Sequence, residues 1–183
     1  DLSDSFTQLH GKELSYNNLI DTEAAIMTVY DFKEPAFAII KHMNACGLAS
    51  RGEGHLLEAY KAAYDADPIS AFGGILASNR VIEEDIAKLI KEQKLFIEVI
   101  IAPDFSKEAL NILMEKKDCR ILKWNNPTLP GKLMRTNFTG LLVQDRDAHI
   151  ETEKDLKVVS KRAPTQEEKK DLSNLRKNSP MLE

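Results

Sequence analysis

Residues 36–47 read Ala-Phe-Ala-Ile-Ile-Lys-His-Met-Asn-Ala-Cys-Gly, an apolar run that ends in a cation and an imidazole. The first five residues predict a buried strand that ends at Lys41, because a short continuous apolar run suits a strand covered on both faces. The small residues that follow predict a sharp turn within a loop over 42–53. Lys41 and His42 are therefore expected at the rim of a sheet, where open α/β sheets bind ligands.

Strands and helices alternate along the chain on either side of this stretch. We expect an irregular segment over 1–16 and a first helix with Asp21 as its N-cap. A glycine pair, Gly73-Gly74, predicts a turn that feeds a strand. Further helices are expected at about 54–66, 82–94 and from 106, and further strands at 96–101, 119–124 and 141–143. This alternation predicts an α/β fold: a three-layer α/β/α sandwich around a mixed, mostly parallel sheet.

Composition sets limits on the kind of protein this is. The chain has 183 residues, 43% of them hydrophobic and 30% charged, as in ordinary globular domains. Its net charge of -4 gives no electrostatic reason to expect nucleic acid or an anionic membrane as a partner. We see neither a signal peptide nor an apolar run of membrane-spanning length. Two isolated cysteines suit reduced thiols, so we expect a cytoplasmic location.

The sequence divides into two parts. Residues 1–150 carry the alternating pattern and are predicted to form one domain. Residues 151–183 are predicted to be a charged C-terminal extension, either a solvated helix or a disordered segment, because 15 of the 33 are Asp, Glu, Lys or Arg.

Several motifs, taken together and in order, resemble one family. They are Gln8–Asn18, Lys41–Gly47, Asp67–Gly74 and Phe96–Pro103, and Leu142–Asp147 also fits. The chain is similar over about residues 7–171 to the AICAR transformylase region of the bifunctional purine biosynthesis proteins (AICAR transformylase/IMP cyclohydrolase). The resemblance implies a cytidine-deaminase-like subdomain, the first of two in that region. It also implies a formyltransferase of purine biosynthesis, which moves formyl from 10-formyltetrahydrofolate to the 5-amino group of AICAR.

The resemblance also implies roles for particular residues. His42 would accept the proton of the weakly nucleophilic amine, and an imidazole suits this because it titrates near neutral pH. Lys41 would stabilise the negative charge that develops on the formyl oxygen. Gly73, Glu98 and Asn18 would bind substrate. By resemblance the partners are AICAR and folate, no metal is needed, and the protein is a homodimer.

The sequence also departs from the family. The Arg-Tyr-Gly-Glu-Asn-Pro-His-Gln segment expected before Gln8, the second subdomain and the cyclohydrolase domain are all missing from the 183 residues. We therefore expect the chain to be a fragment that is inactive alone. The alternative is a non-catalytic remnant that binds a nucleotide or a partner.

Two other chemistries would each need particular residues at this stretch. A zinc-dependent deaminase requires His-x-Glu and a later Cys-x-x-Cys, but Asn44 stands two residues after His42 and no such cysteine pair follows. Cys46 as a nucleophile would require a lowered thiol pKa, which the neighbouring Lys41 and His42 could provide.

Overall fold

The computed structural model describes residues 5–125, 128–147, 157–169 and 172. Contacts group the chain into two compact units, Asp1–Pro127 and Thr128–Glu183. None of the helices in the described ranges is long and apolar enough to cross a bilayer. Much of the predicted extension over 151–183 lies outside the described residues, and the predicted division at residue 150 stays a prediction.

The first unit is built on a six-stranded mixed sheet. The strands are β1 (Phe6–His10), β2 (Ala36–Lys41), β3 (Asn44–Ser50), β4 (Gly74–Ser78), β5 (Ile97–Ala102) and β6 (Arg120–Trp124). Their order across the sheet is β1-β6-β5-β4-β2-β3. Neighbours β4, β5 and β6 are parallel, whereas β2 is antiparallel to β4 and to β3, and β1 is antiparallel to β6. The mixed sheet is as predicted, and four of its strands (β3 to β6) point in one direction.

Among the described residues, four helices cover this sheet: α1 (Tyr16–Tyr30), α2 (Leu56–Ala66), α3 (Glu84–Glu92) and α4 (Lys107–Leu113). The alternation along β2 separates the layers, because successive side chains of a strand point to opposite faces. Phe37 and Ile39 join the core cluster formed with α2, α3 and α4. Ala36, Ala38 and Ile40 are equally buried but lie outside that cluster, on the alternate positions of the strand, and α1 packs against β2, β4 and β5. The predicted three-layer arrangement is confirmed.

Three local expectations were wrong. Residues 6–10 form β1, and residues 44–50 form β3 rather than part of a loop, so β2 and β3 are joined by a hairpin turn of two residues. The first helix starts at Tyr16, with Ser15 and not Asp21 as its N-cap. Ser15 and Asn18 form a capping box, in which each side-chain oxygen accepts the other residue's backbone N–H at 3.1 Å.

The second unit contains a separate hairpin of β7 (Lys132–Asn137) and β8 (Gly140–Asp145). The strand predicted near 141–143 is therefore real, but its partner is β7 rather than a strand of the six-stranded sheet. The hairpin exposes large apolar side chains, among them Met134, Leu141, Leu142 and Val143.

Candidate functional site

The predicted site begins at the turn between β2 and β3. Lys41 is the last residue of β2, and His42 and Met43 form the two-residue turn before Asn44 begins β3. Both turn residues have positive φ angles, 53° for His42 and 64° for Met43, as in the left-handed turns that two-residue hairpins favour. His42 is exposed, and among the described residues none hydrogen-bonds its imidazole ring.

Lys41 joins this turn to the glycine turn before β4. Its Nζ donates to the carbonyl oxygen of Phe72 at 2.6 Å. An ammonium has three N–H donors, so this bond uses one of them. The next residue, Gly73, has φ 73° and donates its N–H to the carbonyl of Phe96 at 2.8 Å. The chain reversal here therefore favours glycine through its positive φ.

Glu98, one residue into β5, lies beside the start of α1. Its Oε2 accepts from Asn18 Nδ2 at 2.7 Å and lies 3.9 Å from Arg120 Nη1. The Glu98 side chain is 40% exposed, whereas Asn18 is buried. Because the Asn18 oxygen serves the helix cap and its nitrogen serves Glu98, Asn18 supports this carboxylate from inside the protein.

The structure thus places the five predicted residues at one edge of the sheet. By this edge we mean the row of strand ends where β2 finishes and β4 and β5 start, not an outer strand. Lys41 contacts the Phe72-Gly73 turn, that turn contacts Phe96, and β5 then leads to Glu98 and Asn18. This edge holds the carboxyl end of β2 but the amino ends of β4 and β5, because β2 runs antiparallel to β4. The rule on carboxyl ends of parallel strands therefore does not explain its position. The catalytic and binding roles of the five residues stay predictions.

Two features of this edge were missed by the sequence reasoning. Phe72 and Phe96 form an aromatic pair with ring centroids 5.4 Å apart, and they are 60% and 42% exposed. Asp21 on α1 accepts the Met43 N–H at 2.9 Å through Oδ1. No local sequence pattern signals either contact, because each joins residues more than 20 positions apart.

Cys46 is not an activated thiol. It lies on β3, where its Sγ donates to the carbonyl of Ile39 at 3.3 Å. Burial raises its pKa above the ordinary value, and the smaller effect of Lys41 in the opposite direction does not reverse this. The described residues hold no group of three or more His, Cys, Asp or Glu side chains suited to a metal ion.

Comparison with known proteins identifies related sequences. A family model described as "AICARFT/IMPCHase bienzyme" matches residues 2–177. The chain is 50% identical over 167 residues to the bifunctional purine biosynthesis protein PurH of Bacteroides thetaiotaomicron, covering 91% of this chain and 32% of that protein. It is 52% identical over 171 residues to PurH of Rhodospirillum rubrum, covering 92% and 32%. The chain thus spans about a third of the length of the curated relatives it matches.

Proposed function

The chain belongs to the AICARFT/IMPCHase bienzyme family. From this premise we propose that it contributes the residues of a formyltransferase site that transfer the proton and stabilise the oxyanion. The substrates would be AICAR and 10-formyltetrahydrofolate, and the product a formylated AICAR on the way to purines. The observation that supports this most is the position of Lys41-His42 at a sheet edge, beside the Phe72-Gly73 turn.

In the proposed reaction the 5-amino nitrogen of AICAR attacks the formyl carbon and forms the new C–N bond. The amine proton passes to the imidazole of His42, and the carbonyl electrons move onto oxygen. The Lys41 ammonium stabilises that oxyanion with its remaining N–H donors. The tetrahedral intermediate then collapses, the bond to the folate nitrogen breaks, and the protonated His42 returns a proton to that leaving nitrogen.

Substrate binding is proposed for the rest of the edge. The exposed rings of Phe72 and Phe96 are tilted by 41° to each other, and each offers an apolar face to a heteroaromatic ring. The Glu98 carboxylate, held by Asn18, can accept hydrogen bonds from amino or hydroxyl groups of the nucleotide. Because the chain spans 32% of its relatives, we propose that the site is completed by further protein in a homodimer, and that the 183 residues alone show little turnover.

The test is a chimera in which residues 7–171 of this chain replace the segment they match in the Bacteroides thetaiotaomicron relative. Formyl transfer is followed by the appearance of tetrahydrofolate. We expect His42→Ala to lower kcat by about 10²–10⁴ and Lys41→Ala by about 10²–10³. His55→Ala, an exposed histidine before α2 with an acidic neighbour at 3.6 Å, is the matched control and retains the rate.

Retention of more than about a tenth of the parent rate by His42→Ala would remove the general-base role, since such a group supplies at least about a hundredfold. The non-catalytic alternative gives a different result. In that case calorimetry shows saturable AICAR binding to the chain, while the chimera transfers no formyl group.

A further inference from the structure

The turn that carries His42 has an unfavourable backbone for its sequence. His42 and Met43 are consecutive non-glycine residues at positive φ, whereas Asn-Gly is the pair that adopts such a turn most easily. The Cβ atoms of both residues crowd the backbone in this region. Strain of this kind persists only where surrounding contacts impose it, and it is common at functional sites.

Two side-chain hydrogen bonds hold the turn. Asn44 Nδ2 donates to the His42 carbonyl at 2.9 Å, a contact within the hairpin itself. Asp21 Oδ1 accepts the Met43 N–H at 2.9 Å, and Asp21 belongs to α1, which packs on the sheet. The Asp21 contact therefore ties the turn to a rigid element. A carboxylate is also a stronger acceptor than a neutral group.

Helix α1 also supports the part of the edge that β5 contributes. Asn18 lies three residues before Asp21 in α1, so the two side chains are neighbours on one helix face. Asn18 reaches Glu98 on β5, and Asp21 reaches the turn after β2. One helix face thus connects two parts of the proposed site that are 55 or more residues apart in sequence from each other.

We propose that Asp21 is a positioning residue: its carboxylate holds the His42–Met43 turn in the left-handed conformation and so fixes where the His42 imidazole is presented. The significance of this for catalysis rests on the proposed formyl transfer. The competing explanation is that the register of β2 and β3 alone imposes the turn, because the pair of Lys41 and Asn44 leaves only two residues to connect the strands.

The test is NMR spectroscopy on the 183-residue chain. At positive φ the amide proton and the Hα of a residue are close together, so His42 gives a strong intraresidue NOE. We expect Asp21→Ala to weaken this NOE and to speed exchange of the Met43 amide about tenfold or more. Asp21→Asn retains both signals because its side-chain oxygen accepts the same bond. Glu23→Ala, which removes an exposed acid of the same helix, leaves both signals unchanged.

A second variant separates the turn from the helix. In Asp21→Ala/Met43→Gly the glycine adopts positive φ without strain, so the His42 NOE should return although the carboxylate is absent. If Asp21→Ala alone keeps the NOE and the slow exchange of the Met43 amide, the strand register suffices and the proposal is overturned.

Formyl transfer by the chimera tests the effect of Asp21 on catalysis. There Asp21→Ala should lower kcat about tenfold with little change in the KM for AICAR, and Asp21→Asn should restore most of the loss. A parent chimera without formyl transfer would refute the proposed function, whereas the NMR result would still decide the role of Asp21.

Discussion

The strongest prediction about stability concerns Asn79, which follows β4 and is 6% exposed. Its Oδ1 accepts the N–H of Ala36 at 2.8 Å at the start of β2. Its Nδ2 donates to the carbonyl oxygens of Val29, Phe32 and Glu34, at 3.1, 3.0 and 2.9 Å. One side chain thus fixes the connection from the end of α1 to β2, the strand that ends at Lys41 directly before His42.

The cost of Asn79→Ala can be worked from these contacts. The Ala36 N–H is fully buried, and leaving a buried donor unsatisfied costs about 1–3 kcal/mol. The amide NH₂ has two hydrogens, so at most two full bonds are lost on that side, at about 0.5–1.5 kcal/mol each. We therefore expect the free energy of unfolding to fall by about 4 kcal/mol, a large part of the roughly 5–15 kcal/mol that stabilises a domain.

The measurement is urea unfolding followed by the fluorescence of Trp124, the chain's single tryptophan. The midpoint should fall while the m-value is unchanged, and the melting temperature should drop by roughly 10 °C. Asn111→Ala, an exposed asparagine on α4, is the matched control and should change stability by no more than about 0.5 kcal/mol. A loss below about 1 kcal/mol for Asn79→Ala would refute the reasoning.

Three further predictions concern packing, thiol reactivity and pH. A Cβ at Gly47 would lie 1.9 Å from the Ala63 carbonyl oxygen, so Gly47→Ala should destabilise by at least about 3 kcal/mol in urea unfolding, whereas Gly52→Ala, whose nearest atom is at 4.0 Å, should be nearly neutral. Burial raises the pKa of Cys119 to about 12, so mass spectrometry at pH 8 should show slow alkylation of Cys119 until urea is added; rapid reaction of the folded chain would contradict this. The hydrogen bond from Lys123 lowers the pKa of Asp104 below its ordinary value. The stability lost in Asp104→Asn should therefore be measurable at neutral pH and should vanish as the pH falls through that lowered pKa. A stability difference between the two proteins that persists below that pH would contradict this.

The sequence predicted the central elements well because their patterns are local. The apolar run of β2, the proline that follows Asp67 and the glycine pair before β4 each restrict the backbone within a few residues. The sequence did not reveal β3, whose residues Asn44–Ser50 are mostly small and contain no β-branched side chain. Such a segment becomes a strand because its neighbour β2 supplies the hydrogen bonds, and this is a tertiary effect.

The candidate site, like the fold, could be predicted only in part from the sequence. Family motifs indicated five residues, and the structure brings them to one edge of the sheet. The bond from Asn18 to Glu98 joins residues 80 positions apart, and no local pattern reports such a contact. The sequence predicts Asp21 as a helix cap because Asp commonly has that role, but the helix begins at Tyr16 and the Asp21 carboxylate instead accepts the Met43 N–H.

The β2–β3 hairpin explains how the edge can hold Lys41 and His42 at a strand's carboxyl end, although β4 and β5 contribute their amino ends there. In a parallel sheet the loops after the strands carry most binding residues, but β2 runs the other way and delivers its carboxyl end here. A two-residue turn between paired strands has fewer accessible conformations than a long loop, so less entropy is lost when it meets a substrate. A short turn also cannot enclose a ligand. A site built on it therefore needs additional surfaces around it, and this supports the proposal that the 183 residues alone show little formyl transfer.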